Sequence, residues 1–293
     1  MSLTEHEAAV ELTLALNQDR LNLFEEIGNR GNITTETMQA YILAVQSLRG
    51  RLSIANAQYI ISIFDQLSLR LEAEAERLLV RSSEIGLQAG YDLLDVYGVS
   101  VDDLSTREKQ KITEDSLAAF LGVTSAQINR AKLLALTPDP DENLILGDYS
   151  RVGLLTPSIA TAELDTQAQL VISLIIAYLL ERSTAGQSRL DPDRYVLQAI
   201  ASVDHRTTRT CLLVHGQTRE LRGGYFVLTG TPRYANNMKY PQFHRYCRTS
   251  TALVRAADAN DELTQQMIAS AEAELDTHNR TPLTPANAFT IRT

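Results

Sequence analysis

Cysteine is nearly absent from this chain: of 293 residues only Cys211 and Cys247 are cysteine. Two thiols cannot build a disulfide framework, and the first twenty residues, MSLTEHEAAVELTLALNQDR, carry charges throughout, unlike a secretion signal. The expectation is a reducing compartment, with the cysteines serving as a metal site or as free thiols rather than as a structural disulfide. Long apolar runs are missing too. The longest, Ala168 to Leu180, is 13 residues and includes Gln169 and Ser173. A bilayer span needs about 20, so the run is read as a buried core helix and no membrane partner is expected. Motifs of common catalysis are also lacking: there is no serine-nucleophile motif, no phosphate loop and no HExxH. Gly223-Gly224 and Gly230 do not form a nucleotide fingerprint. No catalytic residue is assigned, and the chain is not expected to be an enzyme.

What is present is an ordinary globular composition, with 44% hydrophobic and 22% charged residues. Net charge is −9, unevenly spread. Residues 1–189 hold 15 Lys/Arg against 26 Asp/Glu, whereas residues 190–256 hold 10 against 4. A basic island therefore sits in an acidic chain. It reads either as a face for nucleic acid or an acidic protein, or as the solvated side of a small domain. Arg209, Arg219, Arg222, Arg233, Lys239 and Arg245 are its candidate contact residues.

Apolar periodicity predicts a mainly α fold with a small α+β C-terminal module. Helices are expected over 4–28, from Thr34 to Leu48 with Thr35 at the cap, and from Ser53 to Tyr97. The last carries Ile60, Phe64, Leu67, Leu71, Leu78, Ile85 and Leu93 in one core stripe. Further helices are expected from Pro157 to Glu181 and from Ser250 to Thr277. Residues 137–150 and 183–193 read as linkers and 281–293 as an extended tail. Strands are expected only within about 195–232: Tyr195–Ala201, and a bulged strand at Leu221–Leu228. Three regions follow: a helical region over 1–186, a Cys/His module over 187–256, and a C-terminal helix with its tail over 257–293. Between residues 113 and 136, Ala118, Gly122 and Ile128 have helix-turn-helix spacing. A DNA-binding regulator using residues 116–132 is one reading; a plain helical corner is the other.

The module holds both cysteines and three of the five histidines, His205, His215 and His244. Cys211-x3-His215 and His244-x2-Cys247 are two short pairs, each able to bring two ligands together from a single turn. Together they suit a tetrahedral, structural zinc. A Cys211–Cys247 disulfide is the competing geometry. A third possibility is simple packing, with two buried thiols and hydrogen-bonded histidines. A zinc-dependent hydrolase or nuclease would need a carboxylate beside the metal, and Asp204 is the sole candidate. Otherwise Asp204 caps the turn after the strand and Arg206 makes a bidentate pair within the fold.

The same stretch resembles a known family. The order Asp204-His205-Arg206-Thr207, Cys211, His215-Gly216, then after a variable insert Pro241-Gln242-Phe243-His244-Arg245-Tyr246-Cys247-Arg248, is similar to the signature of phage head morphogenesis proteins, the Mu F-like minor head proteins. The resemblance covers roughly 50 of the 293 residues. It marks Asp204, Arg206, Thr207, Gly216, Pro241 and Arg248 as structural signature residues. Family members often carry further cysteines where this chain has Thr208 and Thr249. Without them a four-cysteine site is out of reach, leaving Cys211, His244 and Cys247, with His215 as the natural fourth ligand. The resemblance implies a bacteriophage minor capsid protein, non-enzymatic, acting in virion assembly near the portal. Its partners would be portal protein, scaffold or major capsid protein, and DNA. It would be found in the host cytoplasm during assembly and in the virion.

Overall fold

The computed structural model describes residues 3–29, 32–47, 54–136, 157–184, 190–221, 223–228, 237–244 and 247–280. The helices are α1 (Glu5–Asn29), α2 (Asn32–Ser47), α3 (Ile54–Asp95), α4 (Thr106–Ala135), α5 (Pro157–Ser183), α6 (Arg209–Val214) and α7 (Glu262–Arg280). The strands are β1 (Tyr195–Ala201), β2 (Thr218–Glu220), β3 (Phe226–Val227), β4 (Asn237–Met238) and β5 (Thr249–Arg255). The protein is mainly α with a small α+β module, and no described residue before Tyr195 is in a strand. The expected linker at 137–150, residues 185–189 of that at 183–193, and the tail lie outside the described residues.

Two helices open on reciprocal caps. Thr4 N–H donates to Glu7 Oε2 (2.7 Å) while Glu7 N–H donates to Thr4 Oγ1 (3.2 Å) at the start of α1. Ser105 and Glu108 repeat the exchange at 2.9 and 3.3 Å ahead of α4. Each pair satisfies two backbone donors that the helix itself leaves open. α2 begins at Asn32, so Thr35 lies inside it rather than at its cap.

The described residues form two compact units, each assembled from separate stretches of chain. One comprises Phe24–Val80 and Thr113–Ala168. Its core joins Tyr41, Ile60, Phe64, Leu67, Ile128, Ala131 and Ala135. Within it α4 runs unbroken, so the corner expected at Gly122 does not form. A lone glycine costs a helix interior only about 1 kcal/mol. Phe120 on one side of it and Ile128 and Ala131 on the other are buried, and their packing offsets that cost. Residues 116–132 therefore contain no turn and no separate recognition helix.

The other unit comprises Met1–Leu23, Arg81–Ile112 and Gln169–Thr293. Here α3 and α5 meet closely at two glycines. A Cβ on Gly86 would stand 3.0 Å from the Ile172 carbonyl oxygen, and one on Gly90 would stand 2.5 Å from Leu179 Cδ1. The stretch Ala160–Ser183 is long and apolar enough to cross a membrane, yet 72% of its most apolar window is buried inside the protein, as a core helix. The sheet has the order β2-β1-β5, all antiparallel, with β1 in the middle. Helix α1 turns buried polar residues toward it: His6, Asn17 and Arg20. Arg20 Nη1 donates to the Thr249 carbonyl (2.6 Å), Asn17 Nδ2 to that of Ile200 (3.0 Å), and Tyr97 Oη to that of Leu253 (2.6 Å). Carbonyls of the edge strand β5 are thus taken up within the fold, which blunts the edge.

Two expectations are corrected in this module. Residues 249–255 form β5 rather than the start of a helix; α7 begins only at Glu262. The segment TSTALVR is short and rich in β-branched residues, and seven-residue pairing with β1 decides its state. Strands therefore extend beyond residue 232. The strand expected over 221–228 shrinks to Phe226–Val227, because Gly223 turns the chain at φ +85°.

Candidate metal centre

The register of β1 on β5 builds the site. Ala201 pairs with Thr249, so the segment leaving β1 and the segment entering β5 run side by side, and Ser202 N–H donates to the Arg248 carbonyl at 3.0 Å. Leaving β1, Asp204 organises a turn: its Oδ1 accepts from Arg206 N–H at 2.8 Å and its carbonyl from Thr207 N–H at 2.9 Å. Thr207 Oγ1 donates back to the Ser202 carbonyl. The Asp204 carboxylate then closes on the other segment through a two-pronged pair with Arg248, Nη1–Oδ1 2.6 Å and Nη2–Oδ2 2.7 Å. Burial disfavours the charge on Asp204, but Arg248 and the turn donors outweigh it and hold the carboxyl down at about 2.

Thr208 caps α6, its Oγ1 accepting from Cys211 N–H at 3.4 Å. The helix ends after six residues, and Gly216 follows at φ +81°, where a Cβ would stand 2.7 Å from Ile268 Cγ1. Left-handed backbone and close packing both require glycine there. On the other segment, Ser173 Oγ donates to the Pro241 carbonyl (3.3 Å) and Gln242 takes φ 92°, an uncommon conformation for a residue with a side chain. Buried Phe243 stacks edge-on against Phe226 with centroids 5.8 Å apart. His244 and Cys247 are thereby turned inward.

Cys211, His244 and Cys247 meet in the interior, with ligand atoms within 4.8 Å of one another. Cys211 Sγ lies 2.9 Å from His244 Nε2 and 3.7 Å from Cys247 Sγ. Both cysteines are free thiols, so no disulfide links them. Thr208 Oγ1 is 2.7 Å from the same His244 Nε2. The Thr249 hydroxyl is fully buried beside Cys211 and makes no hydrogen bond of normal geometry. Burial raises the Cys211 pKa, but the Cys247 thiol, the two threonine hydroxyls and the Arg248 N–H reverse the shift and hold it at about 7. Burial and the neighbouring Cys211 sulfur push Cys247 well up. Cys211 is thus the more acidic thiol of the pair. This cluster could hold a metal ion.

His215, expected as the fourth ligand, does not join the cluster. It ends α6 in extended backbone, φ −60° and ψ 128°, and its Nδ1 accepts from Ala201 N–H at 2.8 Å. Burial lowers its pKa to about 4, which suits a neutral ring serving the backbone. Arg206 contributes its N–H to the Asp204 turn but leaves its side chain exposed; the bidentate partner is Arg248 instead. Arg219 is no surface contact. It is buried, with its guanidinium carbon 5.6 Å from the Phe226 ring centroid and 5.1 Å from that of Tyr240. Arg209, Lys239 and His205 are exposed. Arg222, Arg233 and Arg245 lie outside the described residues. Thr208 and Thr249 escaped the reading of the sequence, because hydroxyl residues carry no ligand signature. Their only signal was that they occupy positions where the resembled family often has cysteine.

Comparison of the chain with protein-family models, with curated proteins and with solved structures finds no match.

Proposed function

We propose that the protein is a phage minor head protein, acting without catalysis in prohead assembly beside the portal, and that zinc at Cys211, His244 and Cys247 stabilises its C-terminal module. One observation carries the reading. The two halves of the signature, more than thirty residues apart in sequence, close on each other through the Asp204–Arg248 pair and the Cys211–His244–Cys247 cluster. A signature whose parts meet as one structural unit is what a resemblance with physical content requires. The zinc part rests on chemistry as well. Two ligands about 2.3 Å from a tetrahedral zinc stand about 3.8 Å apart, close to the 3.7 Å between the two sulfurs. The buried Thr249 hydroxyl makes no hydrogen bond of normal geometry but lies beside Cys211, where it is placed to donate to a metal-bound thiolate. When bound, zinc would supply a cross-link between the two halves of the signature. Asp204 is engaged by Arg248, which favours a structural rather than a hydrolytic site.

Expression of the tagged full-length chain with the portal, scaffold and major capsid proteins of its own phage tests the assembly role. The protein is expected in purified proheads, and to be lost from particles made without portal. Its absence from both proheads and portal complexes would end the reading. Metal analysis tests the zinc: near one equivalent in wild type, and loss of both metal and thermal stability in Cys247→Ser. A stable, metal-free wild type would dismiss the metal alone.

A further inference from the structure

We infer that Thr208 Oγ1 is the fourth donor of the metal centre, giving a site of two sulfurs, one imidazole and one hydroxyl. This rests on the reading that the cluster binds a divalent ion. Three observations carry it. First, Nε2 of His244 can make one hydrogen bond well, through a lone pair or through an N–H. Two heteroatoms nevertheless crowd it, Thr208 Oγ1 at 2.7 Å and Cys211 Sγ at 2.9 Å. Hydroxyl, thiol and imidazole donor atoms thus converge on one point through hydrogen bonds, and a tetrahedral ion taking the place of the shared protons would need these spacings to open to about 3.3–3.5 Å. Second, the approach is built into the chain. Thr208 caps α6 with Cys211 three residues on, and the cap bond to Cys211 N–H holds the hydroxyl and the thiol on the same side of the first turn. Third, the charges balance. Two thiolates neutralise a divalent ion, and the neutral imidazole and hydroxyl add none. A buried site of this composition carries no net charge, whereas a third thiolate would leave one uncompensated negative charge.

Exposure agrees with this assignment. Cys211, His244, Cys247 and Thr249 are buried, and Thr208 is half-buried, the most exposed of the five. Thr249 stays a hydrogen-bonding support for sulfur. Sulfur and nitrogen donors select a borderline-soft ion such as zinc, for which cobalt(II) is a spectroscopic substitute of the same tetrahedral preference.

Cobalt(II) titration of the full-length protein tests the assignment. Wild type is expected to show the intense visible bands of a tetrahedral ion and a thiolate charge-transfer band of two-sulfur intensity. Thr208→Val, which keeps the shape and removes the donor, should weaken cobalt affinity about tenfold or more and alter the visible bands. Thr208→Ser should behave as wild type. Thr208→Cys should raise the charge-transfer intensity by about half, the signature of a third thiolate. A lost helix cap cannot produce that increase, so the cysteine variant remains decisive if the valine variant folds poorly. Thr208→Val with unchanged affinity and bands, or Thr208→Cys without added intensity, overturns the assignment while leaving the metal site standing. No cobalt uptake by wild type overturns both.

Discussion

Asp204 illustrates how a single side chain can hold two distant stretches together. Its carboxylate serves a turn through Arg206 N–H and Thr207, and serves the strand entering from the other side through Arg248. Its pKa in the folded protein, about 2, lies below the ordinary 3.8. The contribution to stability is therefore fully present above about pH 4 and is lost as pH falls through 2. Asp204→Asn keeps an acceptor for the turn but loses the charge. Allowing for the one-third exposure of the carboxylate, the cost is about 1–2 kcal/mol at pH 7. Urea midpoints of the two proteins should differ by a constant amount between pH 5 and 8 and converge below pH 4. A gap that persists at pH 2 would mean that the shape of the side chain, and not its charge, does the holding. At this scale Asp204 was legible as a turn cap, but its ionic partner was not. Arg206 and Arg248 both belong to the signature, and only the β1–β5 register brings Arg248 within reach.

Helices and strands differ in how much of them local sequence decides. The stripe Ile60, Phe64, Leu67, Leu71, Leu78, Ile85 and Leu93 predicts α3 because long periodic segments leave little ambiguity; five of the seven are buried, and Leu71 and Ile85 are half-buried. β5 was hidden because seven residues fit a helix or a strand equally until a partner strand is present. His215 misled for a related reason: spacing of four suggests one helical face, yet α6 stops before it. Gly122 shows the same limit, since glycine permits a corner without requiring one. Its environment makes a sharp prediction. A methyl added there meets nothing within 4 Å in the middle of a continuous helix. Gly122→Ala should therefore stabilise the protein by about 0.5–1 kcal/mol. Gly86→Ala is the contrast, because its Cβ would stand 3.0 Å from both the Ile172 carbonyl oxygen and Ile175 Cβ. A loss of about 1–3 kcal/mol is expected as α3 and α5 are forced apart. Thermal unfolding of the two variants checks both signs, and a destabilised Gly122→Ala would mean that the chain does turn at that point.

Charge is the property that only the whole molecule reveals. Ten cations in residues 190–256 suggest a strong field, but the fold withdraws or offsets several of them. Arg248 pairs with Asp204 and Arg219 is buried between aromatic rings, while Arg194 and Arg255 are offset by Asp191 and Glu5 in surface ion pairs. Among the described residues Arg206, Arg209 and Lys239 are exposed contact candidates, with Arg222, Arg233 and Arg245 outside them. Six phosphate contacts would then give a salt dependence of about −5 in log K against log salt. The acidic remainder of the chain, which sets the net charge of −9, weakens binding further at a distance. The full-length protein should therefore bind duplex DNA without sequence preference at about 50 mM salt and release it by about 200 mM. Reversing Arg206, Arg209 and Lys239 to glutamate should flatten the salt slope by two to three units of the roughly 0.9 that each contact contributes. Replacing Arg219 should instead destabilise the module and leave the slope of the folded fraction unchanged. Fluorescence anisotropy with labelled duplexes at a series of salt concentrations measures all of these. Binding insensitive to salt, or none at low salt, would make the exposed arginines structural or protein-facing instead.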